Sequence, residues 1–183
     1  MKPWSNSPQR YGMVAIALHW AMAGLLAVLL AMGFYMVQLP DVGFDTGKIT
    51  LILVHKAIGM LALLILVLRV AWRLRSALPR LADGLPDWQQ VAARFVHLMF
   101  YALMFALPLT GWLMSSAGGY PVPFFSFFNM PDLIGLNDWL FQVLIEVHRW
   151  LAWMLLFFLL LHAAAALRHH FARRDDTLQR MLP

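Results

Sequence analysis

Polar and apolar positions divide this 183-residue chain into long blocks rather than short alternations. Stretches free of Asp, Glu, Lys and Arg run from Tyr11 to Pro40, Ala57 to Leu68, Phe95 to Pro131 and Trp150 to Leu167. A helix crossing the hydrocarbon core of a bilayer needs about 20 largely apolar residues. The second and fourth blocks reach that length with the segments carrying Lys56 and Arg149, whose long side chains can snorkel to a membrane surface. The pattern predicts an all-α protein, an integral membrane four-helix transmembrane bundle forming a single domain over residues 1–183, with spans at about 12–38, 49–72, 93–116 and 142–168. The connection at about 115–137 is rich in Gly, Pro and Phe and too aromatic for a solvated linker. It is expected to lie on the outer membrane interface, partly as a short helix, covering the end of the bundle.

Composition agrees with the pattern, since 62% hydrophobic residues, 13% charged residues and a mean hydropathy of +0.69 leave too little polar surface for water. Charge adds an orientation. Lys2 and Arg10 precede the first span, Arg69, Arg73, Arg75, Arg80 and Arg94 surround the second connection, and Arg168, Arg173, Arg174 and Arg180 occupy the tail. The first and third connections instead carry Asp41, Asp45, Asp132, Asp138 and Glu146, with Lys48 the basic residue between helices. By the positive-inside rule both termini are expected in the cytoplasm. The basic start resembles a signal peptide, but the apolar run is too long and no small-residue cleavage site closes it, so a retained first helix is expected. The net charge of +5 flanks membrane spans and needs no nucleic-acid partner to explain it. Cysteine is absent, which removes disulfides, thiolate ligands, iron–sulfur clusters and the CxxCH attachment of a c-type haem.

Against this apolar background, His19, His55, His148 and His162 stand inside or at the ends of spans. A polar ring in hydrocarbon with donor and acceptor unsatisfied costs about 1–3 kcal/mol, so such residues tend to be functional. His148 and His162 are 14 residues apart on the fourth span. At about 100° per residue they fall within roughly 40° of one face, about 21 Å apart along the axis. With Asp45 and Asp138 as N-caps, His55 and His148 each fall ten residues further on and share one depth. His19, about two turns into the first helix, and His162, shortly before Arg168, share the other. Two stacked bis-histidine sites fit two non-covalent haem b groups, with both axial positions filled as suits electron transfer. Interhelical hydrogen bonding is the plain alternative for each ring.

Other residues surround this frame. His97 lies just inside the third span near the inner site; it could substitute there for His19 or His162, but is expected rather to meet a haem propionate, a quinone or a neighbouring helix. Gly59, one turn after His55 on the same face, leaves room for a porphyrin; Gly33, Gly111 and the small run from Ala163 to Ala166 admit the same reading. Lys56 and Arg149 outside, and Arg168 inside, are placed to neutralise propionates. His169 and His170 sit where the fourth span leaves the inner hydrocarbon, and either can hydrogen-bond a quinone carbonyl.

Three motifs carry a family resemblance: Leu18-His19-Trp20, the HxxxG of His55 and Gly59, and the end segment LHAAAALRHHFARRDDTLQRMLP beginning at Leu161. With span order, length and the 14-residue histidine spacing, nearly the whole chain resembles the bacterial cytochrome b561 family of four-helix di-haem proteins of the inner membrane. The resemblance implies that His19 and His162 hold one haem b and His55 and His148 the other. It also implies exchange of electrons with ubiquinone or a related quinone, and places His169 on the quinone side. At least one kind of member is a superoxide:ubiquinone oxidoreductase, so a small anionic donor outside, attracted by Lys48, Lys56 and Arg149, is expected. Two other readings predict different behaviour. A cytochrome b anchor for a separate dehydrogenase or hydrogenase would copurify with its partner, and a non-haem transporter or structural membrane protein would be colourless.

Overall fold

The structure is a computed structural model describing residues 4–8, 10–40, 45–77, 79 and 86–182. Lys2, Asp41 and Arg80 of the charge argument lie outside the described residues. Four helices, α1 (Met13–Met36), α2 (Thr46–Arg75), α3 (Asp87–Ala117) and α4 (Asp138–Arg168), are each long and apolar enough to cross a membrane. Three of them outrun the expected spans: α2 covers 46–75 rather than 49–72, α3 starts at 87 rather than 93, and α4 starts at 138 rather than 142. Hydropathy marks the hydrocarbon crossing, whereas backbone hydrogen bonding continues into the polar interface. His97 consequently lies well inside α3 rather than just within its start, and Lys48 belongs to the first turn of α2 rather than to a connection.

Helix starts follow capping chemistry. The Asp45 carboxylate accepts from the backbone N–H groups of Gly47 (2.8 Å) and Lys48 (3.2 Å), satisfying donors that the first turn leaves open. On α4 the N-cap is Asn137, whose side-chain oxygen accepts from Leu140 N–H at 2.9 Å, and not Asp138. Asp138 instead occupies the first turn, where a negative charge suits the positive end of the helix dipole.

Side-chain pairings set the helix directions. His19 near the start of α1 meets Arg69 near the end of α2, and Gly33 near the end of α1 meets His55 near the start of α2. Thr110 late in α3 meets His148 early in α4. The helices therefore alternate in direction, with α1 against α2, α2 against α3 and α3 against α4 as the principal interfaces. One end of the bundle gathers Arg69, Arg73, Arg75, Arg94 and Arg168 and is the arginine end; the opposite, loop end carries the connection from α3 to α4.

A packed apolar layer occupies the middle: Met22, Leu26, Ala62, Leu66, Leu103, Met104 and Leu155. Leu155 is 1% exposed and falls seven residues after His148 and seven before His162, on the same stripe of α4. Val28, Leu64, Phe105, Phe157 and Leu160 cover the outer faces and are exposed. So much apolar surface is a liability in water and the expected face toward lipid chains.

The connection from α3 to α4 contains no short helix among its described residues. Instead, β1 (Pro123–Phe124) and β2 (Phe128–Asn129) pair antiparallel as a small hairpin, with Phe125 in the left-handed region at φ 54°. Closely spaced prolines and glycines favour a reversal over helical bonding. The connection is pinned to α3 by Trp112 Nε1–H donating to Pro131 O (2.9 Å), Leu133 N–H to Ser116 Oγ (3.1 Å) and Asn137 N–H to Ala117 O (3.0 Å). β1 lies against α2, and Phe125, Phe127 and Phe128 remain exposed, as an aromatic surface at a membrane interface requires.

At the opposite end, α4 passes into a wider π-type turn over His169–Arg173, closed by Arg174 in the left-handed region at φ 56°. The tail then returns toward α1, where Trp20 Nε1–H donates to Met181 O at 2.7 Å.

Candidate functional site

The alternating directions bring the histidines together at two levels. At the loop end, the rings of His55 and His148 lie with centroids 6.4 Å apart and planes at 75°. At the arginine end, those of His19 and His162 lie 6.3 Å apart at 59°. Two imidazoles bound on opposite sides of one metal, at about 2.0–2.1 Å per bond plus a ring radius of roughly 1.1 Å each, have centroids about 6.2–6.4 Å apart. Both pairs sit at that spacing, and the Leu155 layer separates them.

At the loop level the hydrogen bonds select a tautomer. The Thr110 hydroxyl donates to Leu107 O at 2.9 Å, so its oxygen accepts from His148 Nδ1–H at 3.1 Å. That chain leaves the lone pair on His148 Nε2, the form a metal needs, in the way outer partners commonly orient histidine ligands. The His148 ring lies directly against Gly111 of α3, where an added Cβ would stand 3.4 Å from His148 Cε1, at the edge of ordinary contact. An added Cβ at Gly33 would similarly stand 3.6 Å from His55 Cε1. His55 Nδ1 is buried and has no hydrogen-bond partner among the described residues. An orphaned ring nitrogen, a paired ring in ligand tautomer and open space beside Gly59, where an added Cβ meets nothing within 4 Å, together fit a haem group at this level.

The arginine level is different. A guanidinium cannot accept, so Arg69, 3.0 Å from His19 Nδ1, donates to it and places the ring proton on Nε2. Metal binding through that Nε2 requires the bond to Arg69 to be exchanged. His97 donates its Nδ1–H to Ala93 O at 2.6 Å, and its ring packs edge-on to His162 with centroids 5.5 Å apart, closer than a shared metal spacing. Phe100 packs against His162 at 5.4 Å and Trp20 against His19 at 5.5 Å, so aromatic edges surround the pair. The residues at this level also fit a haem, with Arg69 as the group that yields.

The cations nearest the two levels have different surroundings. Arg149 pairs with Glu146 one turn earlier, an exposed ion pair that cancels much of its field. Lys56 donates to Pro121 O at 3.1 Å and stands 5.6 Å from the Tyr120 ring centroid; neither contact carries a compensating negative charge. Lys48 Nζ donates to Leu39 O at 3.0 Å, tying the start of α2 to the end of α1. Arg168 is exposed at the end of α4. His170 packs its ring on Phe171.

His169 is seven residues beyond His162, on the same stripe and about 10.5 Å further along the axis. Its Nδ1–H donates to Asp175 Oδ2 at 2.6 Å. Sequence reasoning passed over Arg69, Thr110 and Asp175. Arg69 was counted only for topology, and Thr110 is one ordinary residue in an apolar run. Thr110 comes opposite His148 through the packing of α3 against α4, which no pattern within one helix reveals.

Residues 10–183 match the family described as prokaryotic cytochrome b561. Two curated proteins of Escherichia coli (strain K12) are similar over nearly their full lengths. Cytochrome b561 homolog 2 is 36% identical over 179 residues, covering 98% of this chain and 94% of the relative. Cytochrome b561 homolog 1 is 28% identical over 177 residues, covering 95% and 97%.

Proposed function

The chain belongs to the prokaryotic cytochrome b561 family, and from that premise we propose that it is a di-haem electron-transfer oxidoreductase, residues 1–183 working as one domain between a donor outside the membrane and the quinone pool. The family assignment makes the chain a multi-pass cytochrome of the bacterial inner membrane, and the family binds haem b. The observation that carries the finer reading is the pair of histidine couples 6.4 and 6.3 Å apart at two levels of one bundle.

His55 and His148 would hold one haem, and His19 and His162 the other. A b-type haem, when bound, supplies reversible one-electron chemistry. The chain's own residues do the rest. Thr110 presents His148 Nε2 for binding, and the Leu155 layer keeps water out of the space between the two levels. The arginine end faces the cytoplasm, in keeping with its basic residues. Superoxide is the favoured donor: Lys56, its charge uncompensated by its carbonyl and ring contacts, draws a small anion to the loop end. His169 faces the quinone at the other end. The balance is two superoxide, one quinone and two protons giving two dioxygen and one quinol.

The test is haem content and the dithionite-reduced spectrum of the detergent-purified chain, before and after superoxide or quinone is added. Two haems per chain, reduction by superoxide and reoxidation by quinone are expected. His148→Ala should lose the loop-end haem alone and His162→Ala the arginine-end haem alone; equal loss of both from either folded variant would refute paired ligation. A haem-loaded chain inert to superoxide points to another donor or to an anchor role.

A further inference from the structure

The wide turn that ends α4 does more than stop a helix. A regular α-helix would carry Asp175 away from His169, being six residues on, but the π-type turn and the left-handed Arg174 fold the chain back. Asp175 N–H then donates to His169 O at 3.3 Å, and the two side chains meet at 2.6 Å. Single wide turns of this kind recur at functional sites. The carboxylate is held on every side: Thr177 N–H donates to Oδ1 at 3.0 Å, and Arg173 Nε stands 3.6 Å from Oδ2. Arg173 is in turn fixed by donating to Gln89 on α3 at 3.0 Å. Both side chains are largely covered, at 15% and 21% exposure.

From this geometry we infer that Asp175 is the positioning residue of a proton-delivering pair with His169, serving reduction of a quinone carbonyl at the arginine end. The inference rests on the quinone reading above. With Nδ1–H bound to a carboxylate, His169 leaves Nε2 as the ring atom that meets a ligand, the arrangement by which an aspartate orients a catalytic histidine. Reduction of quinone to quinol consumes two electrons and two protons. The electrons come from the outer donor. His169 gives one proton from Nε2 to a carbonyl oxygen with each electron, and water on the cytoplasmic side returns a proton to Nε2 each time. Asp175 is not the final proton source: burial alone would raise its pKa, but hydrogen bonds from Thr177 and His169 bring it down to about 2, so it remains a carboxylate throughout.

The experiment uses the purified haem-loaded chain, reduced with dithionite, freed of excess reductant and mixed rapidly with a short-chain ubiquinone while haem absorption is followed. Asp175→Asn should lower the maximal reoxidation rate about 100-fold or more, with the half-saturating quinone concentration within about threefold of the unaltered protein. Asp175→Glu should recover most of the rate, and Asp175→Asn combined with His169→Ala should be no slower than His169→Ala alone. An unchanged maximal rate in Asp175→Asn, or fully additive losses, would overturn the assignment. Loss of haem together with the rate would mark Asp175 as a structural clasp and overturn it equally. If the unaltered protein is not reoxidised by quinone at all, the quinone reading itself falls, a result distinct from each of these.

Discussion

The two ends of the bundle hold the same pair of side chains at nearly the same separation and surround them with opposite chemistry. At the loop end, His148 is set by a neutral relay through Thr110 to Leu107 O, and His55 keeps a buried nitrogen without a partner. At the arginine end, His19 accepts from Arg69, and a third histidine packs on His162. The loop level is prepared for a ligand by tautomer, whereas the arginine level is stabilised without one by a cation that must move. Ring spacing makes the two levels alike; the groups that bond to the rings make them unequal. With the proposed haems bound, the Arg69 charge near the arginine level would disfavour the more positive ferric state there and so favour electron flow toward it from the loop end.

The largest effect should come from the layer that keeps the levels apart. Leu155→Ala is expected to cost about 2–5 kcal/mol, and because the layer is shared, thermal loss of both haem absorptions should shift together. Separate shifts would mean that the two levels are independent units. Next, Thr110→Val keeps the volume but removes the acceptor for His148 Nδ1–H. Equilibrium haem transfer to an apo-acceptor should then show about 10- to 100-fold weaker retention of one haem and no change in the other; equal weakening would break the assignment of Thr110 to one level.

Arg69→Met addresses the opposite side of the comparison. Removing the cation should lower the midpoint potential of one haem by a shift on the order of tens of millivolts, measured by redox titration, and leave the other in place. The smallest effect concerns the tail. Asp175 is pulled below its ordinary 3.8 to about 2, so its contribution is fully present above about pH 4 and is lost as pH falls through about 2. The protection of the Thr177 amide from hydrogen exchange, taken relative to the intrinsic rate at each pH, should be high at pH 5 and fall between pH 4 and 2; protection that persists at pH 2 would mean that the clasp does not depend on the carboxylate.

Much of this was readable in the chain. Four charge-free blocks announced four helices because a bilayer admits no other arrangement of unsatisfied backbone. The 14-residue interval between His148 and His162 placed two rings on one stripe because helical periodicity is local and rigid. Their meeting with His55 and His19 followed from alternating direction alone. The structure departs from that reading where local competition decides: Asn137 outcompetes Asp138 as the cap, and the aromatic connection, with Pro121 and Pro123 opposing helical bonding, reverses at Phe125 as a hairpin instead of a short helix.

The sequence by itself therefore determined the solvent, the number of crossings and the depths of the histidines, since each depends on composition or on the repeat of a single helix. Only the tertiary structure decided which nitrogen of His148 and His19 carries the proton, that Lys56 and Arg149 differ in their compensation, and that Asp175 returns to His169. Those outcomes depend on contacts between residues up to 65 positions apart, where a shift of one residue in register moves a side chain by about 100° around its helix and breaks a hydrogen bond that tolerates only tenths of an ångström.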